Sequence, residues 1–202
     1  MGPKGWAGAL VKAHSRKLGR IVASLVAAAV WLAAPAAHAQ TETPVNAHII
    51  EKLTLVKSDD MDFGNIVSPT AAGTVILTPN ASPTCTSPNG LVQYGTCQPA
   101  SFIGLGDYNR IVNINRPNAP VTLSCISTSC TGQTMNITTI SFNGDPNLTY
   151  VSGNPAGNGV LRYRINSVSG LFFFRLGGTL AVNANQGLGT YEGTMTVTIQ
   201  YQ

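Results

Sequence analysis

From residue 49 onward the chain alternates. Ile49, Leu53 and Leu55 take alternate places, with Glu51 breaking the row. Val75 and Leu77 follow, then a short run over residues 111–114, then Val121, Leu123 and Cys125, then Met135, Ile137 and Thr139. Longer runs cover residues 160–165 and 171–182, and Met195, Val197, Ile199 and Tyr201 form the last. A period of two with β-branched residues predicts strands, and no segment after residue 40 has a helical period. Turn chemistry separates the runs: Asp62-Phe63-Gly64-Asn65, Pro79-Asn80, Pro88-Asn89-Gly90, Arg116-Pro117-Asn118, Asn143-Gly144-Asp145-Pro146 and Gly153-Asn154-Pro155. Short strands punctuated in this way predict an all-β antiparallel sandwich or barrel whose sheets have one packed face and one wet face. A lipid-facing barrel needs apolar bands flanked by aromatic girdles. Here the outward places are rich in Thr, Asn and Ser, which favours the sandwich.

The first 39 residues follow another logic. Lys4, Lys12, Arg16, Lys17 and Arg20 precede an uncharged apolar run over residues 21–34, and Ala37-His38-Ala39 follows. That order predicts a secretory signal peptide cleaved after Ala39. The run is shorter than the ~20 residues a membrane span needs. The long basic leader leaves the translation start open. The predicted organisation is a signal peptide at 1–39, a polar arm at 40–48 and a single β-domain at 49–202.

Cleavage reverses the charge. The whole chain carries +4, but beyond residue 39 seven basic and eight acidic residues leave −1. A mature chain without a basic footprint is a poor match for nucleic acid. Both tryptophans, Trp6 and Trp31, leave with the leader. All four cysteines, Cys85, Cys97, Cys125 and Cys130, remain. An even count behind a signal peptide reads as disulfides, for which three connectivities exist. Cys85–Cys97 and Cys125–Cys130 are favoured because each pair brackets turn residues, Ser87-Pro88-Asn89-Gly90 and Ser127-Thr128-Ser129. The spacings do not give the short paired knuckles of a zinc ribbon.

The inventory for catalysis is thin. His48 is the one histidine left after cleavage, and a Ser-His-Asp or Cys-His arrangement would have to use it as base. Asp59, Asp60 and Asp62 precede Gly64-Asn65 as in an oxygen-rich loop, but no Glu follows at calcium-loop spacing, so a solvated turn is the stronger reading. The sequence therefore points away from an enzyme and calls for no cofactor and no metal. Phe172 and Phe174 are expected to share a buried face, with Phe173 at an edge.

The most specific pattern is the last strand. Gly189 lies 13 positions before Gln202, and Met195, Val197, Ile199 and Tyr201 step by two opposite a polar row of Thr194, Thr196, Thr198 and Gln200. These residues resemble the C-terminal signature of pilins assembled by the chaperone–usher pathway. A second resemblance covers most of the mature chain. It rests on residues 49–55, Met61-Asp62-Phe63-Gly64-Asn65-Ile66, Ala72-Gly73-Thr74-Val75, Leu176-Gly177-Gly178-Thr179-Leu180, and Gly189-Thr190-Tyr191-Glu192-Gly193-Thr194 through Tyr201. Together these are similar to a secreted bacterial domain family of unknown function, pilin-like and akin to the spore coat protein U group.

The resemblance implies an immunoglobulin-like, pilin-like sandwich, incomplete and completed by a donated strand. It implies a structural subunit of a surface fibre (fimbria or pilus) or coat, exported through the periplasm to the cell surface. The partners would be a periplasmic chaperone, an usher and neighbouring identical or related subunits. Gly189, Met195, Val197, Ile199 and Tyr201 would form the assembly strand, and Val45, Ala47, Ile49, Leu53 and Leu55 would be donor candidates. On pattern alone, residues 49–56 fit a donor and the domain's own first strand equally. The competing reading is a self-contained carbohydrate- or surface-binding sandwich.

Overall fold

The computed structural model describes residue 49 and residues 52–202. The leader and the arm, with Val45, Ala47 and His48, lie outside the described residues. The described chain is all β, with fourteen strands and one three-residue 3-10 turn at Thr128–Cys130. The strands are β1 (Thr54–Asp59), β2 (Asn65–Ile66), β3 (Gly73–Leu77), β4 (Cys85–Thr86), β5 (Gln93–Tyr94), β6 (Ala100–Leu105), β7 (Ile111–Asn115) and β8 (Val121–Cys125). They continue as β9 (Thr134–Gly144), β10 (Leu148–Ser152), β11 (Val160–Ile165), β12 (Leu171–Val182), β13 (Tyr191–Glu192) and β14 (Thr198–Tyr201).

All pairings between strands are antiparallel, and the sheets form a curled β-sandwich. The larger sheet runs β1-β6-β12-β9-β8-β13, with β3 and β4 attached beside β12. The smaller runs β10-β11-β7-β14, and β2 pairs with β5 alone. Twelve-residue β12 organises the larger sheet. On one side its first half pairs with β6 and its second half with β3, while β9 runs along the other.

The period of two is realised in the core. Phe172, Phe174, Leu176, Leu180 and Val182 of β12 are buried, as are Val112 and Ile114 of β7 and Leu161, Tyr163 and Ile165 of β11. Phe102, Phe142 and Phe174 of the larger sheet stack at centroid distances of 4.9 and 5.1 Å, and Phe142 meets Tyr163 of the smaller sheet at 4.9 Å. Such offset aromatic contacts add about 0.5–1.5 kcal/mol each beyond their burial. Phe172 and Phe174 do share the inner face, and Phe173 is only half-buried.

Three expectations need correction. Thr54 opens the first described strand, and Ile49 is fully exposed outside any strand. Strand β6 carries no sequence signal because its inward row is Ala100, Phe102 and Gly104, and the glycine empties the apolar pattern. That glycine is required: it faces Phe172 in register, and a Cβ there would overlap the ring. Asn143 and Gly144 are the end of β9, not a turn, and the chain reverses over residues 145–147 before β10.

Candidate functional site

The C-terminal segment belongs to both sheets. Tyr191 and Glu192 pair with Cys125 and Ser124 at the edge of the larger sheet. Thr198 to Tyr201 pair with Asn115 to Val112 at the edge of the smaller. The intervening residues 193–197 pair with neither. The expected unbroken last strand is therefore interrupted, because the segment crosses from one sheet to the other. Its alternation survives the crossing: Met195, Val197, Ile199 and Tyr201 all pack against the core, and the Thr row is exposed.

This crossing borders a groove of about 1040 Å³. Its floor is the inner face of the larger sheet, with Phe102, Leu123, Met135, Ile137, Leu180 and Val182. The smaller sheet contributes no residue to the lining. The floor residues Phe102, Met135, Ile137, Leu180 and Val182 are themselves buried, so the groove is a shallow opening along the core and not a bare sheet face. One flank is the end of β1 and the segment after it, with Lys57, Asp60, Met61 and Asp62; the other is residues 186–195. Away from the groove lining, an added Cβ at Gly106 would lie 2.8 Å from Leu53 Cδ1 and 3.0 Å from Tyr201 Oη. Among the described residues, β1 pairs only with β6 and β14 only with β7.

The C-terminal flank is held at both ends. At its start, Ser127 Oγ accepts a hydrogen bond from Thr190 N–H (2.9 Å), Ile126 N–H donates to Thr190 O (2.9 Å), and Ser129 Oγ donates to Leu188 O. These donors and acceptors sit on the loop closed by Cys125–Cys130. Gly189 packs against that disulfide so closely that a Cβ would overlap Cys130 Sγ and lie 2.8 Å from Ser127 Cβ. Buried Gln186 adds a polar knot: its Nε2 donates to Tyr191 Oη (2.7 Å) and Gln133 Oε1 (3.2 Å). Gln133 Oε1 also accepts from Gly187 N–H (2.6 Å). At its end, Asp107 N–H donates to Tyr201 Oη (2.7 Å), and the Arg110 guanidinium lies 5.6 Å from the ring centroid.

The matching family model, described as a domain of unknown function (DUF4402), covers residues 53–201. The chain belongs to the DUF4402 family. No curated protein and no solved structure gives a significant match. The family's span begins at Leu53, one residue before β1, and ends at Tyr201 in β14, so the groove and both of its flanks lie within the DUF4402 domain.

The residues singled out in the sequence divide clearly. Both disulfides form as favoured, Cys85–Cys97 and Cys125–Cys130, with Cα separations of 6.2 and 5.8 Å. Gly189, Met195, Val197, Ile199 and Tyr201 lie along one continuous segment. Leu53 and Leu55 pack against the domain's own core, Leu55 within β1. Asp59, Asp60 and Asp62 do not converge: Asp62 Oδ1 accepts Gly64 N–H at 2.8 Å, Asp60 pairs with Lys57, and Asp59 accepts from Ser58. That is the turn chemistry favoured over a metal loop. No helix among the described residues is long and apolar enough to cross a membrane.

Sequence reasoning missed Gln133, Gln186 and Arg116. Polar residues beside turn signals read as surface; the burial of Arg116 and Gln186, and the contact of exposed Gln133 with Gln186, arise from loops brought together by the fold. Arg116 is 5 % exposed, and no carboxylate lies within ion-pair reach among the described residues. Its guanidinium donates to the carbonyls of Ile140 (2.7 Å) and Pro155 (2.8 Å), and to those of Asn154 and Gly157. It ties the loop between β10 and β11 to β9. Burial pulls its pKa below the ordinary arginine value, while nearby Tyr163 acts in the opposite direction.

Proposed function

We propose that this domain is a structural subunit of a bacterial surface fibre or coat. In this reading residues 1–39 direct export, a periplasmic chaperone and an usher handle the subunit, and an extended strand supplied by another chain completes the sandwich. The observation that carries the reading is the groove along the inner face of the larger sheet, bounded by the end of β1 and by residues 186–195 and floored by apolar side chains. A strand laid there would meet β1 and residues 193–195, which pair with no further strand among the described residues, and would place alternate side chains on an apolar floor. Each well-buried aliphatic side chain adds ~1.5–3 kcal/mol. Head-to-tail repetition of such a contact does not close, so it grows a filament. Because Leu53 and Leu55 belong to the core, the chain's own donatable part ends before Leu53.

The test is thermal melting and light scattering of residues 40–202 with a panel of extended peptides that alternate apolar residues, residues 40–52 among them. A saturating strand at a hundred times its dissociation constant adds ~2.7 kcal/mol. The expected outcome is a raised midpoint with at least one such peptide and a broad mass distribution without any. A monodisperse monomer indifferent to every peptide would remove strand donation.

A second reading has one observation behind it. Tyr94, well exposed, lines the groove together with Asp60, Asp62 and Asn65. An aromatic face beside carboxylates and an amide suits a saccharide, as in a self-contained adhesin. Glycan binding that is lost in Tyr94→Ala, with no polymer formed, would favour it.

A further inference from the structure

The groove has two chemical features that strand acceptance alone does not require. The first is methionine. Besides Met1, the chain has three methionines, Met61, Met135 and Met195, and all three line this groove. Met61 stands on the β1 flank, Met135 on the floor and Met195 on the C-terminal flank. The thioether chain is unbranched and polarisable, so it remoulds around different apolar shapes at little cost. The second feature is charge. Asp60, Asp62 and Glu192 are exposed along the rim, and the single rim cation, Lys57, is paired with Asp60. The rim thus carries net negative charge on both flanks.

We infer that the groove selects an extended apolar strand flanked by Lys or Arg and supplied by a different chain, in preference to the protein's own arm. The arm is charge-mismatched: over residues 40–52 it holds Glu42 and Glu51 against a single cation, Lys52, and so carries a net charge of −1. Like charge at a rim disfavours the wrong partner, and opposite charge speeds and tightens the right one. The adaptable methionine lining lets one groove accept successive occupants of differing side-chain shape, and the rim confines them to basic flanks. The inference rests on the strand-accepting reading above.

The experiment uses residues 40–202 and two peptides, residues 40–52 as they stand and the same peptide with Glu42→Lys and Glu51→Lys. Affinity is measured by fluorescence anisotropy at low and high salt. Methionine oxidation by dilute peroxide is followed by mass spectrometry. The substituted peptide is expected to bind about tenfold tighter or more, with the margin shrinking as salt screens the rim. Bound peptide should shield Met61 and Met195 from conversion to sulfoxide. An Asp60→Asn, Glu192→Gln protein should bind the two peptides more nearly alike. Equal or tighter binding of the unsubstituted peptide would overturn the selectivity and leave strand acceptance standing. Binding without protection of the methionines would place the peptide elsewhere and overturn the inference, and binding by neither peptide would overturn both.

Discussion

Single residues decide whether the sheets fit together. Gly104 is absent from any apolar pattern, yet it is the one residue type that lets Phe172 lie flat against β6. Gly104→Val should force the ring off its rotamer and cost about 1–3 kcal/mol, read from urea unfolding, with the midpoint falling and the slope unchanged. Arg116 makes the opposite point, a charge used inside. Arg116→Met keeps much of the volume but removes the guanidinium donor from the carbonyls of Ile140, Asn154, Pro155 and Gly157, of which Asn154 and Pro155 keep a backbone N–H. Hydrogen bonds to charged groups contribute ~1.5–3 kcal/mol, so a loss of at least that size is expected, with amide exchange rising first over residues 153–159. Neither residue was legible in the sequence. A strand glycine reads as weakness, and an arginine before Pro117 reads as a turn; only the facing element shows what each does.

Among the elements, the two disulfides do different work. Cys85–Cys97 joins β4 to the residues before β6 across twelve positions, and Cys125–Cys130 closes five. A chain-entropy account gives ~3 and ~2 kcal/mol respectively. Replacing the first pair with serine should lower the melting midpoint more than replacing the second. Replacing the second should instead loosen residues 187–192 locally, because Gly189, Thr190 and Leu188 lean on that loop. Hydrogen exchange with mass spectrometry separates the two outcomes. The alternation of the C-terminal residues was legible, since burial every second place is a local property of an extended chain. The break in pairing over residues 193–197 was not, because side-chain alternation is the same whether a neighbouring strand is present or absent.

Across the whole molecule, the buried aromatic cluster sets the alkaline limit. Burial, and then the neighbouring Tyr150, raise the Tyr163 pKa above its ordinary value of 10.0, while Arg116 pulls the other way. The folded state therefore holds this proton more tightly than the unfolded chain. The stability linked to it is fully present below pH 10 and is lost as pH rises through the folded value. Tyr163→Phe should match the parent protein at pH 7–9 and fall less steeply above pH 10 in equilibrium unfolding. The groove belongs to this scale as well: it lies along the inner face of the larger sheet, and none of β10, β11, β7 and β14 lines it.

By itself the sequence determined the fold class, most of the long strands and most of the turn positions, and it favoured the cysteine pairing that the structure shows. These depend on short-range chemistry: the two-residue period, the φ preferences of Gly, Pro and Asn, and the ease of closing short loops. The tertiary structure alone decided that Leu53 and Leu55 belong to the domain's own core, that Gly189 packs against a disulfide, and that three scattered methionines share one groove with carboxylates from both flanks. Residues 61, 135 and 195 line one groove only when the end of β1, β9 and the C-terminal segment are brought to one face of the fold. No local period records which strands will be adjacent.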